Sequence, residues 1–200
     1  NPFELKFDDA IKYFIDVERI GYDFINEVQS DVYDNFKYIL DNTNLEVQLK
    51  LLNNIQKNLA IGGTFKDWLA NSKDEIEKIG LGKNGSYFET VYRTNMQTAY
   101  SIGQYKAQIG IKKTHPNWLY DGVIDGREQD HTRMYDGKIW RADDPIWNSI
   151  YPPNGYNCRC NVISLTEDDI ESMGETIQNK NKKFESDARE NLGKFAFNPA

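Results

Sequence analysis

The chain is predicted to be an α+β protein, in which an amino-terminal helical region is followed by a small, turn-rich unit that contains β-strands and by a short terminal helix. Apolar residues recur at three- and four-residue steps through the first 110 residues, a pattern typical of amphipathic helices. From His115 onward, short apolar runs alternate with Gly- and Asp-rich turns, a pattern typical of short strands. These observations divide the 200 residues into a helical region (1–112), a compact β and turn unit (113–165), and a helix with a polar tail (166–200).

The helical region opens with two apolar stripes, residues 7–14 and 22–40, that each predict a helix packed on a core. A third helix is predicted from about residue 47 and ends at Gly62 and Gly63. Thr64 then has the position of a helix N-cap, with Asp67 supplying a carboxylate to the first turn.

A long helix is predicted over residues 86–109, and one of its sides is polar. Arg93, Thr94, Asn95 and Thr98 lie within one to two turns of each other, and such groups tie a helix to a neighbouring loop through buried hydrogen bonds. We expect a structural clamp at this position, with a catalytic role for Arg93 as the alternative.

In the β unit, residues 118–120, 123–124 and 138–140 are candidate strands between Asp-Gly turns, and those turns explain their aspartates without a functional role. Trp140, Trp147 and Tyr151 form either the core of this unit or an exposed docking patch. A helix is predicted to start at Thr166, and the residues from about 175 onward are expected to be mobile or to reach a partner.

The net charge of −7 opposes nonspecific attraction of the whole chain to nucleic acid, which depends on Lys and Arg that neutralise phosphates. The single basic cluster, Lys180, Lys182 and Lys183, is typical of a solvated segment. No run approaches 18 apolar residues, so no membrane span is expected. Because the chain begins at Asn1 rather than Met, we expect a processed product or a fragment.

Both cysteines of the chain, Cys158 and Cys160, lie one residue apart, 27 and 29 residues after His131. In a strand, Cα atoms two residues apart are separated by about 6.5 to 7 Å, at the outer limit for a disulfide, so a bond between them is not expected. Two thiolates on one face suit zinc, and His131 with Asp125 would complete a tetrahedral shell. The alternative is a pair of buried thiols that behave as small hydrophobes.

The second half of the sequence carries an ordered set of motifs that resembles one phage family. These motifs are Tyr92-Arg93-Thr94-Asn95 with Thr98, Ala99, Tyr100 and Gly103; Trp118 and Tyr120; Asp125 and Arg127; Asp130-His131; Asp136-Gly137; Asp143-Asp144-Pro145 with Trp147; and Tyr151-Pro152-Pro153-Asn154-Gly155 with Cys158-Arg159-Cys160. In this set the chain resembles the Mu F-like family of phage head morphogenesis proteins, also called minor head proteins. The resemblance covers residues from about 5 to 165.

The resemblance implies a virion protein present in few copies, assembled in the bacterial host cytoplasm and associated with portal and capsid proteins. It also implies a non-enzymatic role in head assembly and in packaging or delivery of the genome, with local contacts to packaged DNA as an option. His131, Cys158 and Cys160 fall on positions that look like a metal site in many family branches, although Asn154-Gly155 replaces a histidine that often follows the two prolines.

In this interpretation, Pro152 and Pro153 fix an extended approach of the chain, and the segment from Cys158 to Cys160 locks it to the turn from Asp125 to His131, by packing or by metal. Two other functions stay open. One is a zinc-dependent hydrolase or nuclease with Asp130 or Glu128 as base, and the other is the carrier domain of a prophage toxin.

Overall fold

The structure is a computed structural model that describes residues 45–79, 85–178, 187–188 and 192. The helices predicted in the first 44 residues lie outside this part of the chain. The described residues form seven helices and three strands. The helices are α1 Leu45–Ala60, α2 Phe65–Asn71, α3 Lys73–Ile79, α4 Gly85–Ile111, α5 Asp130–Tyr135, α6 Trp147–Ile150 and α7 Glu167–Met173; the strands are β1 Asn117–Asp121, β2 Ile139–Arg141 and β3 Asn161–Leu165. The predicted α+β class is therefore confirmed.

The chain divides into two compact units, residues 1–103 and 104–200, so that the division falls within α4. In the first unit, α1 buries Leu51 and Ile55, and the indole of Trp68 on α2 donates a hydrogen bond to the Leu51 carbonyl (3.3 Å). Thr64 caps α2 as predicted, since its hydroxyl accepts from the Asp67 amide and the Asp67 carboxylate accepts from the Thr64 amide.

The second unit is built on a three-stranded antiparallel sheet with β1 in the centre, in the order β2-β1-β3. Side chains alternate across β1, so Trp118 and Tyr120 lie on one face and Leu119 on the other. The first face belongs to a large aromatic cluster, and the second packs with Ile139, Leu165 and Ile170.

The aromatic cluster is the core of the second unit. Trp140, Trp147 and Tyr151 are all buried, and their rings meet edge to face at centroid distances of 5.6 and 6.2 Å. The interpretation of these residues as core is confirmed. Ala188 and Leu192 also belong to this cluster, so the prediction of a mobile tail is wrong for these two residues.

Two strand assignments differ from the prediction. Residues 123–124 are not a strand, because the following turn bonds its backbone to side chains: the Arg127 amide donates to Asp125, and the amides of Asp125 and Gly126 donate to Glu128. β3, which follows Cys160 directly, was not predicted as a strand. The predicted helix start at Thr166 is confirmed by a capping box with Asp169.

Two side chains of α4 hydrogen-bond to the outer edge of β3. The carbonyl of Val162 accepts hydrogen bonds from the side-chain amides of Gln104 (2.8 Å) and Gln108 (2.7 Å). The other end of the Gln108 amide accepts from the Tyr151 hydroxyl (2.7 Å), which fixes its orientation. These bonds occupy one acceptor on a strand edge that could otherwise pair with another chain.

None of the helices in the described part of the chain combines the length and the apolar character that a membrane crossing requires.

Candidate functional site

The centre of the candidate site is an ion pair between the Cys158-Arg159-Cys160 segment and the turn after β1. The guanidinium of Arg159 donates to both carboxylate oxygens of Asp125 at 2.8 Å. Arg127 donates to the same carboxylate through Nε (3.1 Å) and Nη2 (2.5 Å). The hydrogen bonds from these two arginines hold the pKa of Asp125 far below its usual range, and the larger contribution comes from Arg159. Segments 34 residues apart are thus joined, as the sequence predicted, but the joining contact is an ion pair.

Glu128 extends this network toward α5. Its Oε2 accepts from the amides of Asp125 (3.0 Å) and Gly126 (2.5 Å), and its Oε1 forms an ion pair with Arg133. Hydrogen bonds from the backbone lower the pKa of Glu128, and Arg133 contributes in the same direction. Asp125, Glu128 and three arginines therefore form one connected network.

Behind the ion pair, Cys160 lies in a buried polar cluster. The Thr132 hydroxyl on α5 lies 3.5 Å from the Cys160 sulfur, and Tyr120 and Cys158 also hydrogen-bond to that sulfur. The contact with Cys158, supported by Tyr120 and Thr132, lowers the pKa of Cys160, whereas the same contact raises the pKa of Cys158. Because each sulfur hydrogen-bonds to the other and shifts its pKa, neither is a purely apolar group.

Asn154 links this cluster to the proline segment. Its side-chain amide donates to the Tyr120 hydroxyl (2.8 Å) and to the Ile150 carbonyl (2.7 Å). Pro152 and Pro153 are buried immediately before it and are joined by a cis peptide bond.

His131 lies next to Thr132 on α5 and is half-buried. Its Nε2 is buried and has no hydrogen-bond partner among the described residues. Burial lowers the pKa of His131, and the neighbouring carboxylate of Asp130, which is exposed at the start of α5, opposes that shift. His131 is therefore held in the neutral form more strongly than a free histidine.

The predicted zinc shell was Asp125, His131, Cys158 and Cys160. Across the described residues, no three or more His, Cys, Asp or Glu side chains come together as ligands of a metal would. Asp125 already accepts from two arginines, and the Cys160 sulfur already hydrogen-bonds to the Thr132 and Tyr120 hydroxyls. The four side chains are not grouped as a tetrahedral shell in this structure. Zinc binding is therefore still a prediction made from the sequence.

On the polar side of α4, three side chains make hydrogen bonds or ion pairs within the helix itself. Arg93 pairs with Glu89 (2.7 Å), Asn95 donates to the Val91 carbonyl (2.8 Å), and Thr98 donates to the Thr94 carbonyl, all within the same helix. Thr94 itself is buried.

Tyr92 ties α4 to the end of α1 and to the turn between α1 and α2. Its hydroxyl donates to the Gly63 carbonyl (3.2 Å) and accepts from Asn58 (2.8 Å), which also donates to the Thr64 carbonyl (3.0 Å).

The sequence analysis gave Thr132 no role, and it named Tyr120, Asn154 and Tyr92 as motif residues without assigning them these hydrogen bonds. Asn154 had a usable signal, because an asparagine after two prolines and before a glycine is typical of a turn that bonds its own side chain. The other three look like ordinary core residues in the sequence.

Comparison with known proteins assigns residues 49–163 to the family that the sequence motifs resemble. Residues 49–163 match the family model of Phage Mu protein F like protein. The Mu-like prophage FluMu F protein of Haemophilus influenzae is 38% identical over 119 residues, which cover 59% of this chain and 28% of that protein. The putative capsid assembly protein F of Escherichia phage Mu is 32% identical over 115 residues, which cover 57% of this chain and 26% of that protein.

The aligned part thus spans little more than a quarter of either relative. No solved structure matches the chain. The family model covers more than half of the 200 residues, and it spans the ion pair of Asp125 with Arg159 and the cluster around Cys160. The chain therefore belongs to the family of Phage Mu protein F-like proteins.

Proposed function

We propose that this chain is a minor head protein of a phage or prophage, which acts in assembly of the head and in packaging or delivery of the genome. In this proposal it associates with the portal and capsid proteins, is assembled in the cytoplasm of the bacterial host and is carried in the virion. The observation that carries the proposal is the 32% identity to a protein named as a putative capsid assembly protein.

The geometry of the candidate site supports a structural role over a catalytic one. Asp125 has both carboxylate oxygens paired with arginines, and the Glu128 carboxylate is tied to backbone amides and Arg133. A catalytic base needs a lone pair that reaches the proton it abstracts, and these two carboxylates would have to break their ion pairs first. The residues with the strongest electrostatic interactions here hold the turn to the segment around Arg159.

The experiment is complementation in a phage that carries this gene. We expect a deletion to reduce the yield of infectious particles and the wild-type chain, supplied in trans, to restore it and to appear in purified heads. Arg159→Ala, which removes the ion pair with Asp125, should restore it poorly, whereas Arg93→Ala, an exposed arginine outside that network, should restore it fully.

Infectious particles of normal yield that lack the protein would refute the proposal. Normal yield with Arg159→Ala, at normal protein level, would keep the assembly role but remove the ion pair from it.

A further inference from the structure

The network around Asp125 has a second property, which is the uneven exposure of its charges. The side chains of Arg127, Arg133 and Arg159 are 77%, 61% and 40% exposed. Their partners are less accessible, since the side chain of Asp125 is 29% exposed and that of Glu128 is 2% exposed. The guanidinium groups therefore make up the larger part of the exposed charge of this network.

Exposed apolar residues lie next to this network along the chain. Val123 and Ile124 precede Asp125 in the chain and are 39% and 44% exposed, and Met134, which follows Arg133, is 40% exposed. We name the arginine face as Val123, Ile124, Arg127, Arg133, Met134 and Arg159. Arginine and methionine are both enriched at protein interfaces, where a buried apolar centre is surrounded by a polar rim.

The face is also rigid, which lowers the entropy that docking would cost. Asp125 is bound by two arginines, and the turn donates two amides to Glu128, so the loop is fixed at both ends.

We propose that the arginine face is a docking surface for a protein partner that presents carboxylates around an apolar centre. The inference rests on the proposed function, which supplies the candidates: the portal protein and the major capsid protein of the same phage. Charge complementarity selects an acidic partner, because three exposed arginines face two carboxylates that are less exposed than they are.

Nucleic acid is the less fitting occupant. Affinity for phosphates comes from cationic side chains, whereas three of the six residues of the arginine face are apolar. Asp130, which is near this segment in the chain, also exposes a carboxylate that would repel phosphate. The chain as a whole also carries a net charge of −7.

The test measures binding of the purified portal protein, the purified major capsid protein and duplex DNA to the full chain. The variant combines Ile124→Ser with Arg127→Ala, which leaves the bidentate pair of Arg159 and Asp125 in place. The matched control combines Ile163→Ser with Arg141→Ala, because Ile163 is 39% exposed and the Arg141 side chain 46% exposed, outside the arginine face. Equal melting temperatures of all three proteins establish that the fold is kept.

We expect the variant to bind the portal or capsid protein more weakly by about tenfold or more, and the control to bind like the wild type. Added salt should weaken wild-type binding more than binding of the variant. Equal binding by variant and wild type would overturn the docking surface while leaving the proposed function intact. A loss of DNA binding alone would overturn it in favour of nucleic acid, and a wild-type chain that binds neither protein would contradict both proposals.

Discussion

At the scale of single residues, Asp125 joins the turn after β1 to the segment that carries both cysteines. Its carboxylate accepts from Arg159 and Arg127, which lowers its pKa in the folded chain. An acid whose pKa is lower in the folded state stabilises the fold above its unfolded pKa, about 3.9, and this stabilisation is lost as the pH falls below that value. We therefore expect the melting temperature of the wild type to fall between about pH 5 and pH 3.

Asp125→Asn removes the titrating group, so its melting temperature should be lower near neutral pH and should depend less on pH in this range. Asp143→Asn, at an exposed position, is the control and should keep the wild-type profile. Calorimetric scans from pH 3 to 7 measure the difference. Parallel profiles for wild type and Asp125→Asn would contradict a folded-state ion pair.

Tyr92 is the residue that fastens α4 to the turn between α1 and α2. Its hydroxyl accepts from Asn58 and donates to Gly63, and both the ring and Asn58 are buried. Tyr92→Phe should lower the free energy of unfolding by about 1–3 kcal/mol, because buried donors and acceptors lose a partner. Tyr100→Phe, at a tyrosine that is 46% exposed on the same helix, is the matched control. Urea titration measures both, and equal values would mean that water replaces the hydroxyl at no cost.

At the scale of elements, Gln108 connects α4, the Val162 carbonyl on β3, and Tyr151 after α6. Gln108→Leu leaves the Tyr151 hydroxyl without its acceptor and should destabilise the fold by about 1–3 kcal/mol. Gln104→Leu should destabilise the fold less, because the Val162 carbonyl, to which Gln104 donates, would still accept from Gln108. A double-mutant cycle of Gln108→Leu with Tyr151→Phe should show coupling, and strictly additive effects would show that the two side chains do not interact.

Replacement of two glycines near the site by alanine should destabilise the fold to different extents. A Cβ at Gly122 would lie 2.7 Å from the Thr132 methyl, which is buried, and 3.2 Å from the Asp136 Cβ. A Cβ at Gly155 would also overlap a neighbour, but that neighbour is the end of the exposed Gln129 side chain, which can rotate away. Gly122→Ala should therefore cost about 1–3 kcal/mol, the range for overpacking, and Gly155→Ala clearly less. Chemical denaturation of both variants gives the comparison, and the reverse order would contradict this packing.

At the scale of the whole molecule, the sequence predicted what local patterns determine. Helical periodicity located α4 to within two residues, and the spacing of Thr64 to Asp67 and of Thr166 to Asp169 located two caps. It did not predict β3 or the ion pair that joins the turn after β1 to Arg159. These depend on contacts between segments 28 to 58 residues apart, such as Gln104 with Val162, that no local pattern records.

The structure shows contacts at the candidate site that the zinc hypothesis did not include. Asp125, His131, Cys158 and Cys160 suggested zinc because their residue types suit that metal. Arg159 and Arg127 were the competing partners for Asp125, and an arginine that reaches both carboxylate oxygens satisfies them as a metal would.

This competition leads to a prediction for the intact chain. Zinc that held the fold together would add its binding free energy to stability, so a strong chelator would lower the melting temperature. Because Asp125 forms an ion pair with Arg159 and the Cys160 sulfur is hydrogen-bonded to Thr132, we expect the melting temperature to be the same with and without chelator. Elemental mass spectrometry of protein purified without chelator is the companion measurement. About one zinc per chain, together with a chelator-induced fall in melting temperature, would show that His131, Cys158 and Cys160 rearrange to bind the metal, at the expense of the hydrogen bonds that now hold Cys160.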